Sequence, residues 1–340
     1  MKMIAKAAFV AAWLFAAGTV LGQAKPATTP INMLIGNVTA NDTQAAVNDK
    51  LGELVTKYSG GRITASARHG GSLGNAVQLL AAIQAGAVHG TITPSFVMST
   101  AVPEVSLFDV PFLLGSAAPA KITAFASQSK AAARMIELAE QKGLHILGLH
   151  GIGPQNFLTK FPLAKLSDFQ GKKFGVNYSP PRASAIHDWG GVVRMMGLGE
   201  WYTSLQQGLI DGFDLPPDVL YRMKFHEAAK YYTITEHVVL VSAIIISKKW
   251  FDALPKDLQD AVTRAGKDTM VFADDAYTKS QAASLEALKK AITVIPMPPA
   301  ELQKMKDLVR KGTWEKMKND PKQGSMLKLL EEDVARFNKT

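Results

Sequence analysis

The chain has 340 residues, a net charge of +9 at pH 7 and no cysteine. It therefore forms no disulfides, and thiol catalysis and Cys-ligated metals are excluded. The length suffices for two domains of typical size. Because Lys and Arg are scattered singly or in pairs, without the clustered stripe and interleaved aromatics of a nucleic-acid track, we predict no nucleic-acid partner.

The first 24 residues have the pattern of a secretory signal peptide. Lys2 and Lys6 flank the start of an apolar run over residues 7–21, and Gly22 and Ala24 are small residues at the positions that define cleavage. The run has about 15 residues, where a transmembrane span needs about 20. We predict cleavage after about Ala24, export to the periplasm and no stable insertion into the membrane. A retained transmembrane anchor is the alternative.

The segment after the signal peptide alternates between strand and helix patterns. Residues 31–38 read as a strand, and Asp42 is placed to cap a helix. A strand over residues 62–67, a helix ending near Gly86 and a strand over residues 88–93 follow. One face of the first helix is apolar, with Ala45, Val47, Leu51, Leu54 and Val55. This order predicts an α/β domain with a largely parallel sheet.

The middle of the chain predicts a passage into a second domain. A helix over residues 118–142 leads to a strand over residues 144–149, and Gly151 to Pro154 suit a flexible crossing between domains. A strand over residues 172–176 and a helix from about Arg182 begin the second unit. The remaining elements of that unit occupy residues 200–208 and 209–214.

The chain then predicts a return to the first domain. Residues 238–247 are wholly apolar, so we expect a strand buried on both faces in the first sheet. Residues 255–291 have a helical pattern that gives either one rod of roughly 55 Å or two helices broken near Gly266. The predicted domains are residues 25–149 with 238–280 and residues 150–237 with 281–340.

Motifs for catalysis are incomplete. His226 and Glu227 begin like a zinc-protease helix, but Lys230 stands where the second His ligand is needed. The segment from Gly70 to Gly74 lacks the Lys and Ser/Thr of a phosphate loop and is not a nucleophile elbow. The seven His residues show no ligand spacing. We therefore predict that the protein is not an enzyme.

Five segments of the chain have a characteristic sequence: VSLFDVPFLL (105–114), LSDFQGKKFGV (166–176), YTSLQQGLIDG (202–212), KFHEAAKY (224–231) and ISKKWFDALP (246–255). They resemble the substrate-binding subunits of tripartite ATP-independent periplasmic (TRAP) transporters, the DctP family. The likeness extends over nearly the whole chain after the signal peptide, in the same order, and the stretch 205–212 is its most specific part.

The resemblance implies a periplasmic binding protein fold, in which two α/β domains surround a cleft, with hinge crossings and a long helix across both domains. It also implies that a small organic acid is captured by cleft closure and delivered to a membrane permease driven by an ion gradient. We expect a monomer. The alternatives are a sensor partner of a histidine kinase and an exported enzyme.

The carboxylate clamp of the family is altered in this chain. Most family members hold a substrate carboxylate with two Arg residues, and the matching positions here are Gln155 and Gly175. The nearest replacement is Arg182, at the start of a helix expected to face the cleft, where a guanidinium and a helix N-terminus would both favour an anion. The alternative for Arg182 is a solvent-exposed position in a loop.

The other candidate ligand contacts are polar or aromatic. Asn177 and Tyr178 end a strand that points toward the cleft, the usual place for ligands in open α/β sheets, although they also suit a turn. Aromatic candidates, which equally suit a core, are Phe96, Trp201 and Phe213, and they favour an aromatic or bulky acid over a sugar acid. Asn37 and His150 complete the set.

A second hypothesis concerns Gln155 and Asp214. One branch of the family holds a metal ion that bridges to the substrate with a Gln at the first crossing and an acid after an Asp-Gly pair. Asp211 and Gly212 precede Asp214 at that offset. Two oxygen ligands fall short of the six to eight that calcium takes. We therefore predict no cofactor apart from a cation at this one site. The alternatives for Asp214 are a hydrogen bond to a ligand hydroxyl or amine and the capping of a turn.

Overall fold

The computed structural model describes residues 30–115 and 117–339, so the predicted signal peptide lies outside the described residues. The described chain forms nine strands that belong to one continuous sheet. The strands are β1 (Ile31–Gly36), β2 (Ile63–Arg68), β3 (Gly90–Pro94), β4 (Leu144–Thr159), β5 (Lys173–Val176), β6 (Val192–Met195), β7 (Gly212–Leu215), β8 (Tyr231–Ser247) and β9 (Thr293–Pro296).

The strand order is β2-β1-β3-β8-β4-β7-β5-β6, and β9 pairs with β8. Pairs β1/β2, β1/β3, β5/β6, β5/β7 and β8/β9 are parallel, whereas β3/β8, β4/β7 and β4/β8 are antiparallel. The predicted return of residues 238–247 to the first sheet is confirmed, because Ser242 to Ile246 pair with β3 and every residue from 238 to 247 is buried.

Two long strands divide the molecule into two lobes. The first lobe holds β1, β2 and β3 with the start of β4 and the end of β8. The second lobe holds β5, β6, β7 and β9 with the end of β4 and the start of β8. Strands β4 and β8 have 16 and 17 residues and pair with each other from Leu144/Ser247 to Thr159/Tyr231, so each crosses from one lobe to the other. The predicted fold of two α/β domains around a cleft is confirmed.

The described residues form thirteen α-helices in addition to short 3-10 and π turns. They are α1 (Thr43–Tyr58), α2 (Ala76–Ala85), α3 (Ser95–Met98), α4 (Pro119–Gln128), α5 (Lys130–Gln141), α6 (Pro180–Asp188), α7 (Leu198–Gln206), α8 (Pro217–Arg222), α9 (Lys248–Asp252), α10 (Lys256–Ala291), α11 (Pro299–Val309), α12 (Glu315–Lys318) and α13 (Gly324–Phe337).

The start of α1 follows the predicted capping. The Asp42 side chain accepts a hydrogen bond from the N–H of Ala45 at 2.9 Å, which satisfies one of the unpaired donors at the helix start. The five apolar residues predicted on one face of the helix are all buried. The helix ends before Gly60 and Gly61, whose positive φ angles of 62° and 78° suit glycine.

The predicted helix over residues 118–142 is interrupted. It consists of α4 and α5, with a break at Ser129. The Ser129 hydroxyl caps α5 by accepting from the N–H of Ala132 at 3.0 Å and donates to the Asp333 carboxylate at 2.7 Å. Asp333 also accepts from the N–H of Ala131 at 2.9 Å. A contact with the C-terminal helix α13 therefore sets the break.

The first crossing also differs from the prediction. The segment from Gly151 to Pro154 lies inside β4, and the pairing with β8 shifts register there. A Cβ atom on Gly151 would lie 2.7 Å from the Cα of Pro119, so glycine allows α4 to approach the strand. A bulged strand, rather than a loop, connects the lobes at this point.

Helix α10 runs unbroken for 36 residues, so the first of the two predicted alternatives is confirmed. It packs on α1 and α4 of the first lobe and on α8 of the second. Asp274 accepts from the Thr123 hydroxyl at 2.6 Å, and Gln281 accepts from the N–H of Asp218 at 3.0 Å. The helix thereby connects both lobes.

Within residues 30–115 and 117–339, no helix is both long and apolar enough to cross a membrane.

The last helix of the described chain, α13, packs on α5. The predicted domain boundaries near residues 150, 238 and 281 stay a prediction.

Candidate functional site

A cavity of about 450 Å³ lies between the two lobes. The first lobe contributes the segment after β1, the start of α2, the end of β3 and the start of α3. The second lobe contributes the end of β5, the start of α7 and the turn from β7 into α8, and Tyr277 lines the cavity from α10. Its volume falls within the usual range of about 300–1,000 Å³ for small-molecule sites.

Two contacts close the cavity at its edges. The Ser99 hydroxyl of the first lobe donates to the carbonyl oxygen of Tyr178 in the second lobe at 3.2 Å. The N–H of Thr43, at the start of α1, donates to the Asp218 carboxylate of α8 at 3.3 Å. The lobes therefore touch on both sides of the cavity, as in a closed binding protein.

The cavity wall is mainly apolar and carries negative rather than positive charge. Of the described residues that line it, none is Lys, Arg or His, and the two ionisable carboxylates belong to Asp42 and Glu200. Neutral hydrogen-bonding groups include the side chains of Asn177, Tyr178 and Tyr277. This arrangement suits a ligand held by apolar contacts and directed hydrogen bonds.

Three of the predicted site residues line the cavity: Phe96, Asn177 and Tyr178. Phe96 is the second residue of α3, directly after β3. Asn177 and Tyr178 follow β5, at the carboxyl end of a parallel strand, as predicted for ligand contacts in such a sheet. Both lobes thus bring a predicted residue to the cavity.

Arg182 lies outside the residues that line the cavity and is 1% exposed. Its Nε donates to one carboxylate oxygen of Asp214 at 2.9 Å, and its Nη2 donates to the other at 2.5 Å. The structure therefore gives Arg182 a protein carboxylate as its partner, where the sequence predicted a ligand carboxylate. The guanidinium carbon also lies 5.7 Å from the centre of the Phe96 ring, which itself lines the cavity.

Asp214 is fully buried and has a second partner, the Nε2 of His237, at 3.1 Å. Burial works to raise the pKa of Asp214, but Arg182 and His237 outweigh it and hold the pKa well below its usual range. Burial lowers the pKa of His237, against the opposing effect of Asp214. Asp214 is thus an ionised carboxylate whose charge is balanced within the protein.

The pairing of Gln155 with Asp214 as ligands of a cation stays a prediction. Gln155 is fully buried in β4, and both polar atoms of its side chain lack a hydrogen-bond partner. In the described part of the chain, no three His, Cys, Asp or Glu residues are grouped so as to hold a metal ion. The carboxylate of Asp214 is engaged by Arg182 and His237 instead.

His150 and Asn37 lie behind the cavity wall. The imidazole of His150 stacks on Tyr277 with ring centres 5.5 Å apart, and burial lowers the pKa of His150 to about 4, so the ring is neutral at pH 7. Asn37 is buried and accepts from Gln44 at 2.7 Å while donating to the carbonyl of Thr39 at 2.9 Å. Both residues support side chains that line the cavity.

Trp201 and Phe213 belong to the core of the second lobe. Both are fully buried, and their ring centres lie 4.6 Å apart. The indole N–H of Trp201 donates to the carbonyl of Met196 at 3.3 Å. They pack behind the start of α7, which itself reaches the cavity.

Asp42, Glu200 and Tyr277 are among the cavity residues that were not predicted as ligand contacts. Asp42 was recognised only as a helix cap, a role that it does fill. Tyr277 lies in the middle of the long helix α10, where the helical pattern assigns a buried aromatic residue to the core.

Comparisons with known proteins agree with this geometry. A model of the family described as "Bacterial extracellular solute-binding protein, family 7" (DctP) matches residues 35–320. The C4-dicarboxylate-binding periplasmic protein DctP of Rhodobacter capsulatus is 28% identical over 78% of this chain and 79% of its own length.

Solved structures share the fold over nearly the whole chain. A TRAP periplasmic solute binding protein from Desulfovibrio salexigens, with bound orotic acid, is 26% identical, with a TM-score of 0.83 over 90% of this chain and 99% of its own. The sugar acid binding protein DctPAm from Advenella mimigardefordensis, in complex with galactonate, shares the fold at 24% identity and a TM-score of 0.85, covering 91% and 99% of the two chains. The chain belongs to the DctP family, the family 7 extracellular solute-binding proteins that serve TRAP transporters.

Proposed function

We propose that this protein captures a small organic acid in the cavity between its lobes and delivers it to the membrane permease of a TRAP transporter. The observation that carries the proposal is the cavity lined by both lobes, because only a closed state contacts a solute from both sides. The relatives that bind C4-dicarboxylates, orotic acid and galactonate support the ligand class. The family points to transport rather than to the sensor alternative.

We place the ligand carboxylate at the second-lobe wall, where neutral donors replace the missing Arg clamp. Asn177 and Tyr178 line the cavity next to the start of α7, where the Glu200 carboxylate already accepts from the N–H of Gly197 at 3.3 Å. The side-chain amide of Asn177 and the hydroxyl of Tyr178 are neutral donors for a carboxylate oxygen. Phe96 supplies an apolar contact from the first lobe.

Other predicted site residues pack behind the side chains that line the cavity. Arg182, paired with Asp214, holds the guanidinium near the ring of Phe96, and His150 packs behind Tyr277. We further propose that the signal peptide is cleaved after about Ala24, and that the mature protein works in the periplasm as a monomer without turning its ligand over.

A thermal-shift screen tests this function. Succinate, galactonate, orotate and benzoate are each added to the purified mature protein, and we expect at least one acid to raise the melting temperature. A ligand at 100 times its Kd adds about 2.7 kcal/mol to the free energy of unfolding. A protein that none of a broad set of organic acids stabilises would contradict the proposal.

The control is a variant with a bulky residue at the cavity wall. Gly199 lines the cavity, and nothing lies within 4 Å of a Cβ built on it, so Gly199→Trp introduces a large side chain at the wall without a clash at its Cβ. The acid that stabilises the wild type should leave this variant unchanged. Equal stabilisation of both proteins would show that the acid binds elsewhere.

A further inference from the structure

Two buried polar atoms at the cavity have no hydrogen-bond partner. They are Oδ2 of Asp42 and the hydroxyl oxygen of Tyr277. Both residues line the cavity, and they are only 4% and 1% exposed. A buried polar atom without a partner is destabilising, so such atoms are rare unless a ligand or water satisfies them.

The two oxygens of Asp42 have different surroundings. Oδ1 accepts from the N–H of Ala45 and fixes the start of α1. The helix therefore holds the carboxylate in place, and the Thr39 side chain lies beside it, while Oδ2 keeps acceptor capacity for a ligand. A carboxylate held in this way presents a rigid acceptor to a ligand, which lowers the entropy cost of binding.

The hydroxyl of Tyr277 complements that acceptor. Burial, together with the charges of Asp42 and Asp218, raises the pKa of Tyr277 well above its usual range, so the hydroxyl keeps its proton. The ring is stacked on His150, which restricts its position. The hydroxyl can therefore donate one hydrogen bond and accept another.

The negative charge around Asp42 excludes a second anion. Asp218 is also fully buried, and its charge adds to the effect of burial in raising the pKa of Asp42. Asp218 is itself engaged by Arg222 at 2.6 Å and by the Ser280 hydroxyl. No positively charged side chain lines the described cavity wall to hold a carboxylate beside Asp42.

We propose that Asp42 and Tyr277 form a donor-recognition end of the cavity, which binds an O–H or N–H group of the ligand. A hydroxyl would donate to Oδ2 of Asp42 and accept from the hydroxyl of Tyr277, whereas an ammonium would donate to both. This inference rests on the proposed function and narrows its ligand to an organic acid with a hydrogen-bond donor away from its carboxylate. A simple dicarboxylate is disfavoured at this site.

Matched acids test the ligand chemistry. Two series of acids are titrated calorimetrically. The first consists of benzoates with a hydroxyl, aminomethyl, methyl or carboxylate group at position 4. The second consists of butanoate and of butanoates with a hydroxyl, amino or carboxylate group at position 4. We expect the donor-bearing acid of a series to bind at least tenfold more tightly than its methyl and dicarboxylate counterparts. A stronger preference for the amine than for the hydroxyl identifies a cationic donor, and the reverse identifies a neutral one.

Two conservative variants test the residues with the tightest-binding acid of these series and of the thermal-shift screen. Asp42→Asn retains a good helix cap, and Tyr277→Phe removes only the unpartnered hydroxyl. We expect each to lower the affinity at least tenfold, while Tyr277→Phe leaves the melting temperature of the ligand-free protein unchanged or raised. Tyr221→Phe on α8, outside the cavity wall, is the matched control and should leave the affinity unchanged.

The outcomes separate this inference from the proposed function. If an acid binds the wild type but both variants bind it within twofold of the wild-type affinity, the donor-recognition end is wrong and the organic-acid function stands. Tight binding of succinate or of another acid without a donor would have the same meaning. If no acid binds the wild type, the proposed function fails and this inference falls with it.

Discussion

The buried pair of Arg182 and Asp214 stabilises the second lobe next to the ligand cavity. Both side chains are about 1% exposed and share two hydrogen bonds. Such a pair adds little over an apolar core, but removal of one partner leaves an uncompensated buried charge. The pair therefore matters most when it is broken.

We expect Arg182→Ala to lower the free energy of unfolding by about 3–5 kcal/mol, because Asp214 would keep only His237 as a partner in the interior. Chemical denaturation of the ligand-free protein measures the change. Arg134→Ala, which removes an exposed pair with Glu137, is the control and should have a much smaller effect. Equal losses in the two variants would contradict a structural role for Arg182.

The individual residues of the candidate site could be predicted from the sequence only in part. Asn177 and Tyr178 were found because strand ends in an α/β sheet point to the cleft, and both line the cavity. The partner of Arg182 could not be predicted, since Asp214 is 32 residues away in the sequence and no local pattern links the two residues. Tyr277 could not be assigned to the cavity, because that depends on how the lobes meet around α10.

Some helices and strands could be predicted from their local sequence patterns alone. Alternating strand and helix patterns predicted β1, α1, β2 and β3 because each has its own caps, glycines and apolar face. The break at Ser129 was missed because Asp333, which holds it, lies 204 residues later. The length of β4 was missed because Gly151 reads as a loop residue, although its close contact with Pro119 requires glycine within a strand.

The long helix α10 contains a glycine with a packing role. A Cβ on Gly266 would lie 2.6 Å from the Cβ of Leu147 in β4. Replacement of glycine by alanine in a helix interior usually stabilises it by about 1 kcal/mol. We expect Gly266→Ala instead to destabilise the protein by about 1–3 kcal/mol, because it overpacks this contact.

Denaturation midpoints of Gly266→Ala, Leu147→Ala, their double variant and a control check this contact. Lys267→Ala, at the exposed neighbouring position, should leave the stability nearly unchanged. The double variant Gly266→Ala with Leu147→Ala should lose less than the sum of the two single variants, since the truncated Leu147 makes room for the new methyl group. A gain in stability from Gly266→Ala alone would contradict the close packing of α10 on β4.

At the scale of the whole molecule, β4, β8 and α10 connect two lobes that can move about them. Contacts across the cavity include Ser99 with Tyr178, Thr43 with Asp218, and Arg222 with the carbonyl of Asn41. A ligand that touches both lobes adds free energy that favours the closed state. We therefore expect binding of the solute to shift the protein from an open to a closed arrangement of the two lobes.

The distance between the lobes tests that claim most directly. Because the natural chain has no cysteine, Glu53→Cys on α1 and Val192→Cys on β6 allow spin labels to be placed on the two lobes. A control pair, Glu53→Cys with Ser127→Cys, lies within the first lobe. Pulsed electron–electron distance measurements are made with and without the tightest-binding acid. We predict that the acid shortens the distance between the lobes by more than about 2 Å and leaves the control distance unchanged. Identical distributions with and without saturating acid would contradict the account.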